Sequence, residues 1–328
     1  MSKIPQYPTS NQGSIVSLDN QLRVLRALSV FGHLRKEDIA QLIWPNSNPN
    51  SQRVMAHTTL QSMSEKKLIT PRNNSLGTKS YILGSRGVQL LADQGLTDVP
   101  TGYDISSFTG PQFWHRTLAT AFLIHQTLHW GNFVIPEIML ARDSSYLSRR
   151  MLESVGIKKV PDGLIIRQHL SHKHDNNELK FLTPDDTDPA CYFDWVEVEG
   201  SFKDDDRLRA ILHVLANYYE KFSMYQDLDY RSQYRPGKRA ILDSSPDKNM
   251  DYAINTVFNL MRLGNLYFVF DSSSNHKNRI ISVAKEYLKN KPSSVVEIIK
   301  DRFKLAEVQI KLPLSIQDVR TDSLGAYL

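Results

Sequence analysis

The chain has 328 residues, 41% of them hydrophobic and 23% charged, which supplies apolar side chains for cores in two domains of ordinary size and excludes an intrinsically disordered chain. Forty Lys and Arg against 35 Asp and Glu leave a net charge of +5, a balance that permits a nucleic-acid partner without requiring one. The single cysteine, Cys191, excludes an intramolecular disulfide framework and a four-cysteine zinc site, and it fits a reducing compartment.

The opening MSKIPQYPTSNQGS lacks the apolar stretch of a secretory signal, and no apolar run nears the roughly 20 residues that a membrane helix needs. A cytoplasmic protein with no membrane association is expected. Residues 1–17 read as a flexible polar tail. From Asp19 to Phe31, Leu22, Leu25, Ala27, Leu28 and Phe31 recur at helical spacing behind an Asp able to cap the first turn. Gly32 ends that helix, and a short one follows from about Arg35, carrying Ile39, Leu42 and Ile43 up to Pro45. A third helix starts at Ser51, buries Ala56, Leu60 and Met63, and ends near Lys67. The period then changes: Leu68–Thr70 and Lys79–Leu83 read as two strands around the loop PRNNSLGT, and a last helix runs from Arg86 to Gln94. Three helices, a β-hairpin and a closing helix over residues 18–98 make a winged helix-turn-helix.

Residues 99–110 read as a linker, and 111–328 as a larger mixed α/β domain, so the fold class is α+β. Pro111 opens a helix to about Trp130. Strands are expected at 133–141, 159–167 and 191–199, then a long helix from Asp204 to Met224 with the stripe Leu208, Ile211, Leu215, Tyr218 and Phe222. A strand at Leu266–Asp271, helices at 276–289 and Val295–Phe303, and a strand at Val308–Leu312 complete the order.

Residues 18–98 hold 10 Lys and Arg against 6 Asp and Glu. The third helix offers Arg53, His57, Thr58 and Gln61 to a major groove, where Arg can read guanine edges and Gln adenine edges. Arg72 and Lys79, on the wing, suit phosphates or the minor groove. The pattern TTLQSMSEKKLI at 58–69 resembles the recognition helix and turn of winged-helix DNA binders, with Lys67 where those proteins usually carry Gly. Winged helices also serve as protein–protein modules.

The larger domain carries an acidic constellation. KVPDGLII places Asp162 at the start of an apolar strand, and CYFDWVEVE places Glu197 and Glu199 two residues apart, hence on one face of a strand expected to be its neighbour. Crowded carboxylates call for a cation, and Mg²⁺ with its oxygen ligands is the natural one. A metal so held activates water and stabilises charge on a scissile phosphate, with Lys203 close by to assist electrostatically. The competing reading of Glu-x-Glu is a solvated strand face that binds nothing.

The order of winged helix, a helix with an early Trp114-His115-Arg116, Pro-Asp, Glu-x-Glu and a Lys/Tyr-bearing helix resembles the replication-relaxation family of mobile-element proteins, over roughly residues 18–225. That family includes mobilisation relaxases of a PD-(D/E)xK nuclease type. The resemblance implies a restriction-endonuclease-like domain, with Asp162 and Glu197 as metal-binding carboxylates and Glu199 where the commonest motif has Lys. Glu199 is then a ligand or general base, or the mark of an inactivated site. His115 matches the family's early His, with a structural or site-orienting role. Two functions are expected in competition: a Mg²⁺-dependent, site-directed DNA nickase or relaxase for plasmid mobilisation or replication, and a DNA-binding regulator or replication accessory factor whose nuclease-like domain is silent. Double-stranded DNA is the expected partner of both, with room for other mobilisation or replication proteins and for a homodimer.

Other constellations carry less. His125 and His129 have Gln126 where a zinc protease has Glu, so packing on a helix face is the expected role. His169, His172 and His174 sit in a polar stretch that reads as a loop, and Tyr218-Tyr219 reads as core packing. No Gly-rich phosphate loop of the P-loop type occurs.

Overall fold

A computed structural model describes residues 10–96, 110–142, 161–167, 192–199, 205–227, 262–310 and 316–328. The fold is mixed α/β, and the chain divides into two compact units, the first ending at Phe113 and the second beginning at Trp114. That division falls inside a helix rather than in the expected 99–110 linker, of which residues 99–109 lie outside the described residues.

In the first unit α1 (Ser10–Phe31), β1 (His33–Arg35), α2 (Lys36–Ile43), α3 (Pro49–Glu65), β2 (Ile69–Asn73), β3 (Lys79–Leu83) and α4 (Ser85–Asp93) follow one another along the chain. Val24, Leu25 and Leu28 of α1, Ile39 and Ile43 of α2, and Ala56, Leu60 and Met63 of α3 are buried. The helix α1 begins at Ser10, so residues 10–17 are helical rather than the flexible tail expected there. Asn48 sets the start of α3 by accepting the Ser51 N–H at 2.9 Å, with Pro49 at the first helical position. Strand β1, three residues long, is too short to show a period, yet it pairs with β3 to give the sheet order β1-β3-β2.

The turn out of α3 explains the unusual Lys67. Leu68 N–H reaches Met63 O at 2.9 Å and Lys67 N–H reaches Ser64 O at 3.0 Å, the two bonds of a Schellman termination. That geometry needs a left-handed residue, and Lys67 has φ of +59°. Gly87 lets α4 close over the same turn, because a Cβ there would run into the Leu68 carbonyl and lie 2.9 Å from Leu25 Cδ2.

The second unit is built on a six-stranded sheet of order β4-β5-β6-β7-β8-β9. Its elements are α5 (Gly110–Trp130, of which 114–130 belong here), β4 (Phe133–Pro136), α6 (Glu137–Arg142), β5 (Gly163–Arg167), β6 (Tyr192–Glu199), α7 (Asp205–Asp227), β7 (Arg262–Asp271), α8 (His276–Leu288), α9 (Ser293–Arg302), β8 (Phe303–Ile310) and β9 (Ile316–Ser323). Strands β4, β5 and β6 pair antiparallel, β6, β7 and β8 parallel, and β9 closes the edge antiparallel. One face packs Leu164, Ile166, Trp195, Leu266, Phe268 and Phe303 against Leu208 and Leu212 of α7, Ile280 and Val283 of α8 and Ile299 of α9. On the other face α5 sets Phe122 against Tyr267, ring centroids 5.2 Å apart, and Leu123 over Gly163. Helices on both faces explain why β5, GLIIR, reads as a near-continuous apolar run.

The structure corrects several expected boundaries. The strand expected at 133–141 stops at Pro136, and Glu137–Arg142, rich in good helix formers, turn into α6. The strand expected at 308–312 is Phe303–Ile310, so the preceding helix ends at Arg302. Strand β9, IQDVRTDS, was not foreseen, since a polar edge strand lacks the apolar alternation that betrays a buried one. Among the described residues no helix is long and apolar enough to cross a membrane.

Replacing Lys67 with Gly should stabilise the protein by about 1 kcal/mol, because Gly adopts the left-handed conformation without the Cβ penalty. The urea midpoint should rise at unchanged slope; a lower midpoint would show that the Lys67 side chain contributes more than its backbone costs.

Candidate functional site

Two places in the chain gather side chains suited to binding or chemistry, one in each unit. In the first unit the buried Ala56, Leu60 and Met63 fix which side of α3 faces inward. A rotation of about 100° per residue then turns Asn50, Val54, His57, Thr58, Gln61 and Glu65 outward, and all six are exposed. Of the four expected groove-facing residues, His57, Thr58 and Gln61 belong to this face, whereas Arg53 stands at its margin and is half-buried. The Gln61 amide donates to Glu65 Oε1 at 3.1 Å, which orients Gln61 on the face.

Beside α3 the β2–β3 hairpin presents Arg72 and Lys79, both exposed, one on each strand. Buried Asn74 builds its tip. Its Oδ1 accepts from the Leu76 and Thr78 N–H groups, both at 3.1 Å, its Nδ2 donates to Ser80 Oγ at 3.0 Å, and Gly77 takes the positive φ of +71°. A hairpin tied in this way holds its two cations at fixed places.

In the second unit the expected neighbours are neighbours. Gly163 pairs with Val196 across the antiparallel β5–β6 ladder, and Asp162 extends it, donating its N–H to Val196 O at 3.0 Å. The Asp162 side chain continues the ladder: Oδ2 accepts the Val198 N–H at 2.6 Å. Its Oδ1 lies 3.0 Å from His115 Nε2, in the first turns of α5. The His115 ring thus meets the Asp162 oxygen that the Val198 N–H leaves over.

Glu197 and Glu199 lie on the Trp195 face of β6, beside Phe268 and Phe270 of β7 in the parallel register. They are 0% and 1% exposed, so the solvated strand face is overturned as an account of Glu-x-Glu. The Trp195 indole N–H points to Glu197 Oε2 at 3.4 Å, a long contact. As to a metal, Asp162 has both oxygens engaged by protein donors, and among the described residues no three His, Cys, Asp or Glu side chains form a metal-holding group. The described donors therefore do not fit a bound Mg²⁺ by themselves. Lys203, Cys191 and the histidines at 169, 172 and 174 lie outside the described residues, as do the side chains of Tyr218 and Tyr219.

A second acidic centre on β6 escaped the sequence reading. Asp194, 1% exposed, accepts from Arg167 Nη2 at 2.8 Å and from the Asn265 N–H at 2.6 Å, both on Oδ1. Asn265 lies where β7 carries one residue more than β6 between the pairs Phe193↔Leu263 and Trp195↔Leu266, so the carboxylate satisfies the donor that this bulge frees. Gly264 makes the approach feasible, since a Cβ there would collide with both the Asp194 and Arg167 side chains. Asp194 Oδ2 has no hydrogen-bond partner among the described residues. The signal was an Asp between Phe193 and Trp195 in an apolar strand.

No family model matches the chain, and neither a curated protein nor a solved structure matches it.

Burial pushes the Asp194 carboxyl up to about 6 from an ordinary 3.8, against the pull of Arg167 and the Asn265 N–H. The folded state thus binds the proton more tightly than the unfolded chain, so the cost of holding the charge, about 3 kcal/mol, is present in full above about pH 6 and is relieved as pH falls toward 4. Stability relative to Asp194→Asn, followed by urea unfolding, should therefore rise for the wild type between pH 7 and pH 4. A difference that is flat across this range would rule the assignment out.

Proposed function

We propose that the chain is a DNA-binding protein whose α3 enters the major groove of double-stranded DNA, with the β2–β3 hairpin set against the backbone beside it. The observation that carries this reading is the exposed face of α3: hydrogen-bonding side chains along it, with Arg53 at the margin and Arg72 and Lys79 on the adjoining hairpin. Side chains such as Gln61 match base edges, and the flanking cations match phosphates. A cytoplasmic location accords with this function.

A second reading assigns the second unit phosphodiester chemistry, as a Mg²⁺-dependent, site-directed nickase or relaxase in plasmid mobilisation or replication. The juxtaposition of Asp162 with Glu197 on paired strands, with His115 bonded to Asp162, supports it. The engagement of both Asp162 oxygens supports instead a silent nuclease-like domain that contacts DNA or other mobilisation or replication proteins. Because the described donors do not complete a metal site, no reaction step is assigned to the metal.

DNA binding is tested by titrating salt against affinity for a duplex. The logarithm of the binding constant should fall linearly with that of salt concentration, and Arg72→Ala and Lys79→Ala should each weaken binding to all sequences and lower the slope by about one. Arg53→Ala should cost about 1–3 kcal/mol at preferred sequences if it reads a base. Affinity that ignores salt would end the DNA reading.

Catalysis is tested separately, by nicking of supercoiled plasmid with and without Mg²⁺. Asp162→Asn and Glu197→Gln are the variants to compare, because alanine at 162 would leave the Val198 N–H unpaired and cost about 1–3 kcal/mol of stability on its own. Mg²⁺-dependent nicking lost in both variants, with DNA affinity kept, establishes the nickase. No nicking by the wild type on any plasmid leaves the silent domain.

A further inference from the structure

We infer that Val54 is a specificity-determining side chain that packs on the 5-methyl group of a thymine, so that the protein prefers duplexes carrying thymine at one defined position. The inference rests on the reading that α3 lies in the major groove. Val54 is 66% exposed and stands opposite the buried Ala56, Leu60 and Met63, at the centre of the outward face between Asn50, Thr58 and Gln61. Beyond Pro49 at the helix start, it is the one exposed apolar residue of α3.

The fold gains nothing visible from this choice. A β-branched residue is a poorer helix former than Ala, and an exposed one buries no surface. Nor does Val54 suit a protein partner, because apolar docking patches span a few hundred square ångströms, whereas its neighbours on this face are Asn50, His57, Thr58, Gln61 and Glu65. An isolated pair of methyl groups among hydrogen-bonding side chains matches a major-groove floor, where thymine alone presents a methyl beside donors and acceptors. The cation Arg53 stands at the margin of this face and the exposed Arg72 and Lys79 on the hairpin that follows α3, rather than within the face, which suits a groove with phosphates along its rims.

The experiment begins with the full chain and a pool of random-sequence duplexes, from which the preferred sequence is selected. Each thymine of that sequence is then replaced singly by deoxyuridine, which removes only the methyl. At one position the replacement should weaken wild-type binding about fourfold, the value of one buried methyl group. Val54→Ala should bind thymine and uracil duplexes alike, whereas Val54→Thr, which keeps a γ-methyl, should retain the discrimination. Both substitutions are at an exposed site, and circular dichroism verifies the fold. Steeply salt-dependent binding with no uracil-sensitive position, or discrimination that survives in Val54→Ala, overturns the assignment while leaving DNA binding intact. Failure of the wild type to bind any duplex overturns both.

Discussion

A carboxylate taken out of water costs several kcal/mol unless donors replace its hydration, and β6 takes in three of them, Asp194, Glu197 and Glu199, on two faces of one strand. Much of the second unit's local irregularity answers that demand. The bulge in β7 turns an N–H toward Asp194, Gly264 clears room for Arg167 to reach it, and the Trp195 indole faces Glu197. Asp162 meets the same demand from the other side. It finishes the ladder of β6 with its own side chain, while His115 holds its second oxygen. Asp162, Asp194 and Glu197 thus each meet donors of the protein itself.

What the sequence made legible follows from period and punctuation. Strand Lys79–Leu83 and the buried Ala56, Leu60 and Met63 lie where the pattern put them, because their spacing reports one-sided burial. The adjacency of Pro-Asp and Glu-x-Glu was legible as well, since strands consecutive in the chain usually lie side by side. The burial of Glu197 and Glu199 was not. A strand's alternation tells which residues share a face, but not whether a helix covers it, and α7 to α9 are set by residues far along the chain. Asp194 was hidden for the same reason: its partners Arg167 and Asn265 are 27 and 71 positions away.

On α3 the difference was one of rotation. The polar residues of the helix draw attention to Arg53, His57, Thr58 and Gln61, but the inner stripe, once fixed, moves Arg53 to the margin and brings Val54 to the centre. Val54 attracts no notice in the sequence, where nothing marks its exposure. Its exposure gives it another meaning.

The turn at Lys67 has a mechanical consequence for such an interface. The Leu68 carbonyl, placed by that turn, accepts the Gly84 N–H at 2.9 Å and sits beneath Gly87, so α3, the hairpin and α4 share one anchoring point. That shared point would let helix and hairpin act as the two jaws of a caliper. On the proposed reading, a duplex gripped by both would have to supply any adjustment itself, through groove width and bending at the base pairs between the contacts. Affinity would then depend on the stiffness of sequence that the protein never touches.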